Sequence, residues 1–241
     1  MTICAIHQPN FFPWLGYFDK IRQADVFIFL DEVAYPKSGS GSGSWCNRVK
    51  LMNAGQPAWY GLPIQKQSGV QFIKHVYFSN KTYHLGKLKS SLQHNYRKAP
   101  YYQEVMEFVE PLLNNETDSL AEYNMHVITT LAEHLNVSTR FIRQSELVHQ
   151  SHSTELLIEL IKQVGADTYL CGNGADGYQN DNLFTEHNIR LRYQNYNPLQ
   201  DESFKMTQDD VPGLSILHYL FHKGIGFKEQ PGIAKNLSMT E

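Results

Sequence analysis

The chain has 241 residues, 41% of them apolar and 12% aromatic, enough to bury a sizeable core, so a globally disordered chain is excluded. Its formal charge is −3 and its lysines and arginines are scattered rather than gathered in a stripe, so no nucleic-acid partner is expected. No apolar run reaches the ~18 residues of a spanning helix, the start MTICAIHQP lacks the regions of a signal peptide, and Cys4, Cys46 and Cys171 form no CxxC pair; the expectation is a cytoplasmic protein with reduced thiols.

In chain order, Ile3 to Ile6 form a short β-prone run that ends at HQP. PWLGYFDKIRQA places Trp14, Tyr17, Phe18 and Ile21 at helical spacing, with Pro13 suited to a first turn. VFIFL, Val26 to Leu30, is a continuous apolar run of the kind that forms a strand buried on both faces. Strand, helix and strand make a βαβ opening, which is normally parallel and right-handed. RVKLM and AWYGLPI read as strands around the turn-forming NAGQP, and HVYFS as a third. Helices follow from Tyr83 to Tyr96, from about Pro100 to Leu113, and from about Ser119 to Leu135. STRFIR is a strand; STELLIELIKQVG is a helix with Ser153 or Thr154 at its N-cap and Gly165 just past its end. TYLCG is a strand, DNLFTEHN a short helix, IRLRYQNY a strand, and LSILHYLFHKG a last helix ended by Gly224. The expected fold is α/β: one domain over 1–241 with a mostly parallel sheet, a β-rich flap at about 45–80 and a helical insertion at about 82–135.

Between Lys37 and Trp45 runs SGSGSGS. Too little chain precedes it to make a domain, so it does not join two domains. It has no GxxxxGK[ST] and leads into a strand-like segment, so it is not a phosphate loop. The remaining reading is a lid after the second strand, at the edge where parallel sheets hold ligands.

Four groups of residues are candidates for chemistry. His7, Gln8 and Asn10 cap strand one, where a histidine can act as a base near neutral pH. Asp31 and Glu32 cap strand two, and an acid beside a histidine orients it and stabilises its charged form. Tyr35, Lys37, Trp45, Asn47 and Arg48 flank the Gly/Ser run and combine anion contacts with aromatic faces for a base or sugar. GNGADGYQND, from Gly172 to Asp181, lies between a strand and a helix, where backbone N–H groups approach an anion. It is not GxGxxG, and Asp176 within it suits a hydroxyl or amine better than a phosphate. His149 and His152 are three apart and His218 and His222 four apart, but without HExxH no metal site is expected.

HQPNFFPWLGYFDKIRQADVFIFLDEVAYPK followed by W-x-NRVKL resembles the WbqC-like proteins, encoded in bacterial O-antigen and other surface-polysaccharide clusters. QHNYRKAPYY, STELLIELIKQVGADTYLCGNGADGYQ and GLSILHYLFHKG fit as well, so the resemblance covers essentially the whole chain. His7, Gln8, Pro9, Pro13, Gly16, Tyr17, Asp31, Lys37, Trp45, Asn47 and Arg48 match the recurring motif. The family equivalent of Lys37 lies only a few residues before the tryptophan, so GSGSGS is an expansion of that loop, natural or engineered. The resemblance implies a part in lipopolysaccharide or other polysaccharide biosynthesis.

The leading expectation is a transferase that moves an acyl or aminoacyl group, from a donor such as a CoA or carrier-protein thioester, to the amine of a nucleotide-linked sugar. In that scheme His7 takes the proton of the attacking amine and Asp31 orients it. Arg48 and Lys37 hold a phosphate, Trp45 or Tyr35 stacks, and backbone N–H groups from Gly172 to Gly174 bind an oxyanion. Gln8, Asn10, Asn47, Asp176 and Tyr178 complete the substrate contacts. A second reading is an adenylating ligase using ATP and Mg²⁺, related to nucleotidyltransferases with an HxGH motif, although HQPNFF has one histidine and no glycine partner. A third is a non-catalytic subunit of a polysaccharide-assembly complex.

Overall fold

The computed structural model describes residues 1–36, 44–172, 179–197, 211 and 213–225. Five strands form one parallel sheet: β1 (Ile3–His7), β2 (Val26–Phe29), β5 (Arg140–Arg143), β6 (Thr168–Cys171) and β7 (Arg190–Tyr193), in the order β5-β2-β1-β6-β7. The chain winds outward from β1 through β2 to β5, then crosses back and winds the other way through β6 to β7. The reversal therefore falls between β1 and β6. In β2 and β6 every residue is buried, as the uninterrupted apolar run VFIFL anticipates for β2.

Alternation along the strands divides the core into two layers. Ala5, Phe27, Phe29 and Leu170 pack on one face with α1 (Leu15–Arg22), with α2 (Lys81–Tyr96), α3 (Tyr102–Leu113) and α4 (Leu120–His134), which precede β5 in the chain, and with α7 (Ile216–Lys223). Cys4, Ile6, Val26, Ile28, Tyr169 and Cys171 pack on the other with α5 (Ser153–Gln163) and α6 (Asp181–Glu186). The three cysteines are free and buried.

β3 (Arg48–Asn53) and β4 (Gln56–Gly61) form a separate antiparallel hairpin. Its turn places both Ala54 and Gly55 at positive φ, 47° and 79°, the geometry that matches the twist of a two-residue hairpin. Val49 and Leu51 bury its inner face, and the Ser215 amide donates to the Lys50 carbonyl at 2.8 Å, tying the hairpin to the start of α7.

Two local expectations are corrected. HVYFS is not a strand: Ile73–His75 form a 3₁₀ turn, and the segment makes only isolated bridges, Ile64 to Phe78 and Tyr77 to Ser119. Its alternating burial comes from packing against α4 rather than from a ladder. The N-cap of α5 is His152, not Ser153 or Thr154. Ser153 sits at φ 55°, and the Thr154 hydroxyl accepts instead from the Asn180 amide at 3.1 Å.

Candidate functional site

In an open parallel sheet, ligands bind outside the carboxyl ends of the strands, at the point where the winding reverses. Here that point lies between the ends of β1 and β6, flanked by His7 and Gly172. The His7 ring is half-buried against Tyr17 and Trp14, both edge-on, with centroids 4.9 and 6.0 Å away. Its Nδ1 is 3.1 Å from the Gln8 carbonyl oxygen, which also accepts from the Tyr17 hydroxyl at 2.9 Å. A carbonyl only accepts, so Nδ1 carries the proton and Nε2 keeps a lone pair. Burial, with the nearby Lys20 ammonium, lowers the His7 pKa to about 3 against a smaller opposing effect of the Gln8 bond. The ring is therefore neutral near pH 7.

Lys20, which the sequence reading passed over, comes up from α1 beneath the same point. It is 4% exposed, its Nζ donates to the Ile6 carbonyl at 3.1 Å, and burial lowers its pKa to about 8. Among the described residues it makes no salt bridge. The neighbouring Asp19 is taken by Arg22, Gln23 and Gln194, at 2.8, 2.6 and 2.7 Å.

Asp31 does not orient His7, and that expectation is corrected. Its two oxygens accept from the Ser145 amide at 3.0 Å and the Ser145 hydroxyl at 2.6 Å. Asp31 is buried and braces the turn after β5 against the end of β2. The strand ends do lie side by side: the Leu30 amide donates to the His7 carbonyl at 2.9 Å.

The flanks of the Gly/Ser run divide into braces and open faces. Tyr35 and Asn47 are buried, and the Asn47 Oδ1 accepts from the Tyr35 hydroxyl at 2.7 Å and the Ser44 amide at 2.8 Å while its Nδ2 donates to the Leu62 carbonyl at 2.8 Å. These groups close the base of the loop and are spent on one another, so the expected substrate contacts of Tyr35 and Asn47 are corrected to structural ones. Asn10 is likewise buried, with Oδ1 3.5 Å from the Cys46 thiol, while Gln8 stays half-buried. Asn124, another residue missed in the sequence, donates to the Pro9 carbonyl at 2.9 Å and the Cys46 carbonyl at 2.7 Å, pinning the segment after β1 to the base of the hairpin. Trp45 and Trp59 present open rings 4.7 Å apart, Trp45 meets Trp14 at 4.9 Å, and the Arg48 guanidinium lies 4.2 Å over Trp59. A file of aromatic rings thus runs from His7 through Trp14 and Trp45 to Trp59. Lys37, Gly174, Asp176, Tyr178 and the proposed lid at 38–43 lie outside the described residues.

One strand over, a second cluster gathers beyond β2 and β5. Glu32 accepts from the Lys74 ammonium and, at 2.9 Å, from Nε2 of His149. The Lys74 bond, opposed by partial burial and helped by His149, holds the Glu32 pKa below its ordinary value. Glu32, Gln144, His149 and residues 150–153 border a cleft of about 400 Å³. In the sequence, 117 positions separate Glu32 from His149, and the signals that mark the histidine are its spacing from His152 and the polar run HQSHS after a strand.

The sequence pattern of the WbqC-like protein family matches residues 8–228. The chain belongs to the WbqC-like protein family. An uncharacterized protein of Mycobacterium tuberculosis, Rv1507c, is 28% identical over 226 residues, covering 93% of this chain and 95% of the relative. No solved structure matches. In this WbqC-like chain the motif glycine Gly16 has a packing reason: an added Cβ would lie 3.0 Å from the Tyr196 ring and 3.1 Å from the Trp14 indole nitrogen. Among the described residues no helix is long and apolar enough to cross a membrane.

Proposed function

We propose that this WbqC-like protein is an enzyme of surface-polysaccharide biosynthesis that transfers an acyl or aminoacyl group to the amine of a nucleotide-linked sugar. The observation that carries the reading is the company kept at the end of β1: a buried ammonium with no carboxylate partner among the described residues, a neutral imidazole and a file of tryptophans meet near the winding reversal. A diphosphate answers the uncompensated charge of Lys20, a base or pyranose ring stacks on Trp45, and Nε2 of His7 accepts a hydrogen bond from a sugar hydroxyl or amine. Base strength argues against His7 as the group that takes the amine proton, because a pKa of about 3 lies far from the operating pH. The acyl donor in this reading is a thioester.

The adenylating-ligase reading shares the crevice, because a parallel sheet that reverses beside a strand-one histidine also suits ATP. A thermal-melting series separates the two. dTDP- and UDP-linked amino sugars are expected to raise the melting temperature, by an amount equivalent to about 2.7 kcal/mol at a hundred times Kd, while ATP with Mg²⁺ is not. A shift with ATP–Mg²⁺ alone moves the assignment to the ligase, and no shift with any nucleotide overturns both.

A further inference from the structure

We propose that His149, held by Glu32, is a general base in the cleft beyond β2 and β5, and that it serves the acyl transfer proposed above. The inference rests on that reading only for the identity of the substrate; the dyad stands on its own geometry. Glu32 is a carboxylate under the Lys74 ammonium, so at 2.9 Å it accepts from Nε2–H of His149. That bond, much shorter than the 3.4 Å from Nε2 to the Gln144 amide nitrogen, which cannot donate to a protonated Nε2, fixes the tautomer and leaves the lone pair on Nδ1, which bonds to no described residue. The two side chains are 26% and 18% exposed, open enough for a substrate and closed enough to hold one rotamer.

Support around the pair is unusually complete for a loop contact. The Glu32 amide donates to Gln144 at 3.2 Å, the Lys74 amide to the Asp31 carbonyl at 2.8 Å, and Asp31 grips Ser145. Asp31 is thus a positioning residue: it fixes the turn that carries Gln144 and leads to His149. Carboxylate–histidine pairs held this way act as bases because the carboxylate stabilises the imidazolium that forms. In the proposed step the sugar amine attacks the thioester carbon. The N–C bond forms, Nδ1 of His149 takes the amine proton, the C–S bond breaks, and the imidazolium returns the proton to the departing thiolate.

The test uses the purified full chain and p-nitrophenyl acetate, with water as nucleophile and p-nitrophenolate as the leaving anion. His149→Gln is expected to lower the hydrolysis rate by about tenfold or more at an unchanged melting temperature, and free imidazole to restore it in His149→Ala. Glu32→Gln keeps an acceptor for Nε2–H but removes the charge, so the midpoint of the pH–rate profile is expected to move to lower pH. Besides Glu32 and Lys74, the titratable groups facing His149 are Glu159 of α5 and His152, which borders the same cleft; both are unchanged in that comparison. A wild-type rate in His149→Gln overturns the proposal. If that variant melts early, the Glu32→Gln profile decides, and an unmoved midpoint overturns it. Because the ester requires no nucleotide-sugar, an active dyad without nucleotide-sugar binding sinks the function reading alone, and the reverse sinks the dyad alone.

Discussion

The ends of β1 and β2 are adjacent on one sheet, yet they treat charge in opposite ways. Beyond β2 each charge is answered: Asp31 by Ser145, and Glu32 by Lys74 and His149. Beneath the end of β1, the Lys20 ammonium is buried against one carbonyl among the described residues, and the His7 ring is held neutral beside it. A paired charge is held in one geometry, whether it braces the fold as Asp31 does or orients a neighbour as Glu32 does, whereas one left unpaired lowers stability and is retained where something else completes it. The first arrangement builds a rigid base; the second leaves a place for an anion.

The largest expected effect lies on the answered side. Asp31→Ala deletes a buried carboxylate that accepts two hydrogen bonds at 3.0 and 2.6 Å, each to a charged group. Its loss should lower unfolding free energy by about 3 kcal/mol, read by urea denaturation. It should also slow p-nitrophenyl acetate hydrolysis, since the turn leading to His149 loses its anchor. A variant as stable as the wild type would mean that the Ser145 contact is a surface decoration, and the contrast between the strand ends would collapse.

The next effect should have the opposite sign. Lys20→Met removes a charge that the fold desolvates without a carboxylate, so at neutral pH the variant is expected to be more stable by on the order of 2 kcal/mol. The pH dependence follows from the lowered pKa. Between about 8 and the ordinary 10.5 the unfolded chain binds the proton and the folded chain does not, so wild-type stability rises with pH through that window. The advantage of Lys20→Met is therefore full below pH 8 and fades as the pH climbs toward 10.5. The same variant should lose the melting shift given by a nucleotide-sugar. Stabilisation without loss of binding would show that the ammonium serves no ligand.

These two residues also mark what was legible in the sequence. VFIFL declared a strand buried on both faces because nothing polar interrupts it, four of the five strands of the main sheet fall inside the expected runs, and β1 extends one residue past its run to take in His7. The site was harder. Strand-end position correctly brought His7 and Asp31 to one edge, but adjacency does not tell which atoms bond, and Asp31 turned out to grip Ser145, 114 positions away. Glu32, its neighbour, found the histidine instead. Lys20 was passed over because lysine is normally read as solvated; its place one helical turn from Gly16 and Tyr17 was the sign that it faces inward. HVYFS misled for a related reason, since alternation reports a face turned toward the core and not the strand partner needed for a ladder.

The smallest effect concerns the aromatic file over β1, where three tryptophans line up; among the described residues lining the Glu32–His149 cleft the aromatic carbocycle is Phe72. Trp45 is 37% exposed and packs the rest of its ring on Trp14 and Trp59; Trp45→Leu keeps an apolar side chain over that buried part, so its unfolding free energy should fall by only about 1 kcal/mol. Its contribution is expected in binding. Stacking of a base on an aromatic ring contributes ~1–3 kcal/mol, so the dissociation constant for a UDP- or dTDP-linked amino sugar should rise about tenfold in titration calorimetry. The ratio of the two effects is what matters: a residue that packs the core would lose stability first, while one that faces a ligand loses affinity first. If Trp45→Leu leaves the affinity unchanged, the rings serve the hairpin alone, and the crevice beside β1 loses its roof along with the difference that sets it apart from the cleft one strand away.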